Sequence, residues 1–167
     1  WDPSGHFVLC SDLGQDSLLC WRFDPTAPER LAAQPLRWSS RAGAGPRHFR
    51  FHPRLAQQLY LLNELDSTLV WLQLDPASGA LQTRLTLSSL PDAHRETSYA
   101  SDLLISAEGR HLYALNRLHD SIAVFGLDAN GAPHLLGHEP TGGSFPRSAS
   151  LSPDGRWLLV CNQRGDR

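Results

Sequence analysis

The chain has neither methionine nor lysine; its fifteen basic residues are all arginine. Helical patterning is also missing. No stretch of ten or more residues sustains a 3.6-residue apolar period behind a capping residue, so helix is expected to be scarce. Cysteine is sparse: Cys10, Cys20 and Cys161 are odd in number and dispersed, without a Cys-x-x-Cys or Cys/His metal spacing. That pattern argues against a disulfide framework and a zinc site, and no cofactor is expected. The three are read as free thiols buried in apolar runs, in a reducing compartment. No run approaches the roughly 20 apolar residues of a membrane-spanning helix. No basic segment followed by an apolar core opens the chain, so no signal peptide is visible and a cytoplasmic location is expected. Charge of one sign is lacking too. Fifteen basic against seventeen acidic residues leave a formal −2, which argues against a general nucleic-acid binder or an anionic-membrane partner. Arginine does suit a local pocket for carboxylate or phosphate.

What the chain does have is repetition. Asn63-Glu64-Leu65-Asp66-Ser67 recurs as Asn116-Arg117-Leu118-His119-Asp120-Ser121, and in divergent form as Asp12-Leu13-Gly14-Gln15-Asp16-Ser17. Asn162-Gln163-Arg164-Gly165-Asp166 is a fourth copy. Each follows a short apolar run, and the first three precede a second run: Leu18–Phe23, Leu69–Leu74 and Ile122–Leu127. Asp12, Asn63, Asn116 and Asn162 stand 51, 53 and 46 residues apart. A period near 50 with several short strands per unit points to β-propeller blades. Turn signals such as His52-Pro53 and Pro153-Asp154-Gly155 agree.

The clearest unit predicts strands at 47–51, 58–62, 68–74 and 81–87. The next predicts 102–105, 110–115, 121–127 and 134–138, after a polar connection from Ser88 to Tyr99. The expected fold is all-β: four-stranded antiparallel blades in one partial propeller spanning 1–167. Its units are roughly 1–40, 46–90, 99–144 and 146–167, about three to three and a half blades of a seven-bladed parent. Such a fragment is expected to be inactive alone.

Consecutive antiparallel strands bring the start of the first and the end of the second to one face of the disc. Residues leading into the innermost strand then surround the channel mouth. Arg47 and His48, Ser101 and Asp102, and Arg147 and Ser148 share this rim with Glu64, Arg117 and Gln163. The shared Asn and Asp-Ser are read as turn-forming. The position after each Asn changes character from copy to copy (Leu13, Glu64, Arg117, Gln163). A fold requirement does not explain that change, and one asymmetric ligand pocket does. His52, His111, His119, His134 and His138 share no metal-ligand spacing and are expected in solvent or turns.

Gly43-Ala44-Gly45-Pro46-Arg47-His48-Phe49, the two turn copies at 63–67 and 116–121, and Gly142-Gly143-Ser144-Phe145-Pro146-Arg147 together resemble the lactonase family of seven-bladed β-propellers. That family includes propeller-type 6-phosphogluconolactonases and a carboxymuconate-cyclising branch. The resemblance spans essentially the whole chain. It implies a site of Arg, His and Glu at one channel mouth without an obligatory metal. Its members here would be Glu64, His48 and Arg117 as catalytic groups, and Arg47 and Arg147 as substrate-binding groups. It also implies a small phosphorylated or carboxylated lactone as substrate, such as 6-phosphogluconolactone of the pentose phosphate pathway.

Residue chemistry fits. Glu64 or His48 can act as general base. One arginine can stabilise an oxyanion while others bind an anionic substituent. No serine stands in a Gly-x-Ser-x-Gly elbow. The alternative is a non-catalytic propeller serving as a binding platform, which has no need of an asymmetric Arg/His/Glu set. A Trp-Asp repeat scaffold is a third, weaker reading, because the one Trp-Asp pair is Trp1-Asp2.

Overall fold

The computed structural model describes residues 1–165, and the described secondary structure is entirely strand and turn. A three-stranded sheet comes first: β1 (Phe7–Asp12), β2 (Ser17–Arg22) and β3 (Leu36–Ser39). Two four-stranded antiparallel sheets follow. The second blade is β4 (Pro46–Phe51), β5 (Gln58–Asn63), β6 (Thr68–Leu74) and β7 (Leu81–Ser88). The third is β8 (Tyr99–Ile105), β9 (His111–Arg117), β10 (Ser121–Leu127) and β11 (Pro133–Pro140). A two-stranded sheet, β12 (Ser144–Leu151) and β13 (Leu158–Arg164), closes the described order. The innermost strands β4, β8 and β12 stand side by side. This is the expected all-β propeller architecture.

Two cores lie between neighbouring blades. Phe7, Leu9, Leu18 and Cys20 pack on Leu59, Leu61, Val70, Leu72 and Leu74 between the first two. Tyr60, Leu62 and Leu69 pack on Ala100, Leu103, Leu112, Ala114, Ala123 and Phe125 between the second and third. Alternation along β5 sends Leu59 and Leu61 one way and Tyr60 and Leu62 the other. A strand sandwiched between two sheets therefore reads as an unbroken apolar run. Tyr60 is fully buried, and its hydroxyl donates to Gly131 O at 2.7 Å, joining the second blade to the third. Tyr60→Phe keeps the ring but strands that buried carbonyl, so we expect about 1–2 kcal/mol of destabilisation. It should appear as a lower urea midpoint at unchanged m.

Several local expectations shift. Strand β8 starts at Tyr99, three residues earlier than expected, because Ala100 pairs with Asn116. The polar connection between the blades is therefore confined to 89–98. Strands β5, β9 and β13 run through Asn63, Arg117 and Arg164, so the repeated asparagines close strands. Two of their amides still hold backbone: Asn116 Nδ2 donates to Ser89 O and Asn162 Nδ2 to Thr141 O, whereas Asn63 Nδ2 donates to Thr68 Oγ1. The shared Asp-Ser also conceals a one-residue offset. Asp16, Ser67 and Asp120 are the equivalent left-handed positions, with φ of 50°, 51° and 54°. The Asp16 carboxylate accepts from the N–H groups of Gly43 and Gly45, and Asp120 from that of Phe145. Each thus latches the lead-in to the next blade rather than its own turn. Gly45 (φ +68°) could not carry a side chain here, since a Cβ would lie 2.6 Å from Leu65 Cγ.

Of the three thiols, only Cys20 is buried; Cys10 and Cys161 are exposed. Alternation explains this, because Phe7 and Leu9 take the core-facing positions of β1 and turn Cys10 to the uncovered face. Burial pushes the Cys20 thiol up to about 11. Among the histidines, His52 and His119 lie in turn connections as expected, whereas His111, His134 and His138 lie on strands β9 and β11. His52 is buried, its Nε2 against Gly109 O at 3.0 Å, while its Nδ1 accepts from the N–H groups of Arg54 and Leu55. His119 is half-buried, with ring centroids of His94 and His138 at 4.8 and 6.0 Å. Burial lowers both from the ordinary value, aided by Arg54 for His52 and by the two imidazoles for His119. A histidine held neutral in the fold binds a proton more readily when unfolded. Its stabilisation is present above the unfolded value of about 6.5 and is lost as pH falls toward the folded one. We therefore expect the urea midpoint to fall from pH 7.5 to 5.5, with a shallower slope in His119→Asn. Identical slopes would contradict this account.

Candidate active site

The three innermost strands share a device at their mouth ends. Pro46, Ala100 and Pro146 pair with Asn63, Asn116 and Asn162, and each pairing is followed by a register shift. Such bulges re-aim side chains. They lift Arg47, Ser101 and Arg147 out of the ladder at one level; at the next, His48 and Ser148 pair again, opposite Leu62 and Cys161, while Asp102 stays unpaired. Hydrogen bonds stitch the first level across blades. Ser11 Oγ donates to Arg47 O, Arg47 Nε to Ser101 O at 2.7 Å, and Ser101 Oγ to Pro146 O at 2.7 Å.

Glu64 sits where the blades meet. Its N–H donates to Gly45 O, and its carbonyl accepts from Ala100 N. Its carboxylate takes Arg47 Nη1 on Oε2 and Arg117 Nη2 on Oε1. The three side chains are 14%, 22% and 6% exposed for Glu64, Arg47 and Arg117. Burial alone would raise the Glu64 carboxyl, but the two guanidinia outweigh it and hold the group below the usual carboxylate range. Arg117 is fixed further, with Nε donating to Tyr99 O at 3.3 Å and Nη2 to Ala100 O at 3.1 Å. Its guanidinium lies over the rings of Tyr99 and Phe145, at 5.7 and 5.3 Å from their centroids. Among the described residues, Arg47 Nη2 and Arg117 Nη1 make no hydrogen bond. One carboxylate between two guanidinia leaves the cluster net positive, suited to an anion or a developing oxyanion.

Of the five expected site residues, Glu64, Arg47 and Arg117 come into direct contact. His48 lies one residue along β4 and lines, with Trp1, Arg47, Phe49, Arg50 and Phe51, an open hollow of about 420 Å³. Its partner is Asp102, Nδ1 to Oδ1 at 2.8 Å. Arg147 does not join the cluster; it is exposed and enters no ion pair among the described residues. Gln163 is exposed, whereas its neighbour Arg164 stacks 4.0 Å above Phe145. Tyr99 and Phe145 were missed as supports for Arg117, since aromatic stacking leaves no spacing signal. Asp102 was legible on the rim but given no role. Aligning Ala100-Ser101-Asp102 with Pro46-Arg47-His48 puts it at the position of His48.

The sequence profile described as lactonase, 7-bladed beta-propeller, matches residues 1–167. This chain belongs to the lactonase family. A 6-phosphogluconolactonase of Pectobacterium atrosepticum is 37% identical over 98% of this chain and 48% of its own length. That of Pectobacterium carotovorum is 34% identical over the same shares. Among solved structures, the periplasmic gluconolactonase PpgL of Pseudomonas aeruginosa superposes with a TM-score of 0.87 at 30% identity, covering 97% of this chain and 45% of PpgL. The chain therefore spans about half the length of the curated lactonase relatives it matches.

Proposed function

We propose that the protein hydrolyses a sugar lactone, with 6-phosphogluconolactone opened to 6-phosphogluconate as the leading substrate. The observation that carries this is the Glu64 carboxylate shared by guanidinia from two adjacent blades at the channel mouth. The names of the relatives support the substrate class. A water attacks the ring carbonyl carbon. The oxyanion that develops is met by the free guanidinium nitrogens of Arg47 and Arg117. With both Glu64 oxygens engaged and its basicity lowered, the better base is His48, whose Nε2 takes the water proton. As the ring C–O bond breaks, that proton passes to the departing oxygen, giving the open hydroxy acid. Arg147, exposed on the same rim, is placed to bind a phosphate or carboxylate substituent. Glu64 holds the two arginines together across the blade boundary.

A cytoplasmic location remains part of this reading, supported by Cys10, Cys20 and Cys161 being free thiols, which suits reducing surroundings. Within the described residues, no helix is long and apolar enough to cross a membrane. The test is proton release from 6-phosphogluconolactone by the full-length protein, corrected for spontaneous opening, with unphosphorylated and carboxylated lactones alongside. Acceleration of the phosphorylated substrate above all others is expected. No acceleration of any lactone would leave the binding-platform reading in its place.

A further inference from the structure

His48 and Asp102 occupy equivalent positions on adjacent innermost strands, each two residues beyond the residue that pairs with the closing Asn. Their side chains meet across the blade boundary, Nδ1 to Oδ1 at 2.8 Å. Asp102 is only 8% exposed. Its Oδ1 also accepts from Leu103 N at 2.9 Å, and its Oδ2 from Ala149 N at 3.1 Å on a third blade. Arg50 Nη2 stands 3.8 Å from Oδ1 and is itself largely exposed. Burial would raise this carboxyl, but the imidazole and the two amides outweigh it and hold Asp102 below the usual carboxylate range. An ionised carboxylate offers lone pairs only, so the Nδ1 facing it carries the proton. In a neutral ring, Nε2 is then the unprotonated nitrogen. His48 is 39% exposed and shares the open hollow with Arg47, so it is accessible to a bound molecule.

We propose that Asp102 is a positioning residue for lactone opening, holding His48 in its Nδ1–H tautomer and stabilising the imidazolium formed when Nε2 takes the water proton. This rests on the lactonase reading of the same site. The carboxylate itself is never protonated. Its work is to fix ring and tautomer before the step and to face the positive charge during it. Anchoring by an amide of the β12 strand means that three blades set the orientation of one imidazole. Glu64 cannot substitute, because both its oxygens are committed to arginines.

Asp102→Asn preserves shape and can still accept from an amide, but it can also present an N–H to Nδ1 and favour the wrong tautomer. We expect kcat to fall about 100-fold with KM unchanged. His48→Gln should lose a similar factor, and the double variant should lose no more than either single one. Asp102→Glu, which keeps the charge, should recover about tenfold over Asp102→Asn. An activity-independent readout is nitrogen–proton correlation NMR of the imidazole: the wild type should show the Nδ1–H form, and Asp102→Asn a shift toward Nε2–H. A wild-type Nε2–H form overturns the proposal even if the Asn variant fails to fold. So does a folded Asp102→Asn with wild-type kcat, or losses that multiply in the double variant. A wild type with no turnover on any lactone sinks the lactonase reading itself, an outcome distinct from a working enzyme indifferent to Asp102.

Discussion

Glu64→Gln is expected to lower kcat for lactone opening by about 10²–10³-fold, the range for losing one aligned element of an oxyanion site. The substitution is isosteric and leaves both guanidinia, so the loss reflects their arrangement rather than their presence. Without the carboxylate, Arg47 and Arg117 repel one another and lose their common anchor. The site also becomes more positive, so KM for an anionic lactone should stay level or fall. A lowered kcat with an unraised KM separates this from a simple binding defect. Stability should drop as well, by about 2–4 kcal/mol, because removing one partner leaves the nearly buried Arg117 uncompensated. Adding Arg117→Met to Glu64→Gln should return part of that stability and none of the activity. A Glu64→Gln enzyme with wild-type turnover would remove the clamp from the mechanism.

Arg117 should prove equally intolerant, even of a residue with the same charge. Its fork serves Tyr99 O, Ala100 O and Glu64 at once while its plane lies over Tyr99 and Phe145. A lysine ammonium is a point charge on a flexible stem and cannot reproduce that planar set. We expect Arg117→Ala to cost about 3 kcal/mol of stability, since Glu64 loses half its neutralisation, and at least about 100-fold in kcat. Arg117→Lys should recover most of the stability and little of the rate. Urea midpoints and single-turnover rates on the same preparations check both. Full recovery of rate by lysine would show that charge alone suffices.

The architecture could be read from the sequence because propeller blades repeat their punctuation. The turn copies at Asp12, Asn63, Asn116 and Asn162 gave the period, and apolar runs such as Gln58–Leu62 lie on strands as expected. What the repeat could not disclose was β3, whose Leu36, Arg37 and Ser39 are exposed and carry no apolar pattern. The start of β8 was hidden too, because Tyr99-Ala100-Ser101 looks like loop until Ala100 is seen to pair with Asn116. At the site, variation against the repeat pointed correctly to Glu64 and Arg117 as neighbours of Arg47. The bulges were invisible, since a register shift has no residue signature at Pro46, Ala100 or Pro146. Without them, the pairing of His48 with Asp102 could not be foreseen. Histidines without shared spacing were expected in solvent or turns; His52 does lie in its turn, but its burial against Gly109 rests on a contact 57 residues away in sequence, which no local pattern shows.

Because Glu64 is tied through its backbone to Gly45 and Ala100 and through its carboxylate to Arg47 and Arg117, the clamp works as a gauge of the angle between two wedges. That angle is set deeper in the disc, where Ala114 and Ala123 let the second and third blades close upon each other. Exchanging one of these small residues for a bulkier one would pry the wedges apart and widen the jaw at the rim. Substrate choice in such a protein can therefore be retuned from its interior, through residues that never touch a ligand.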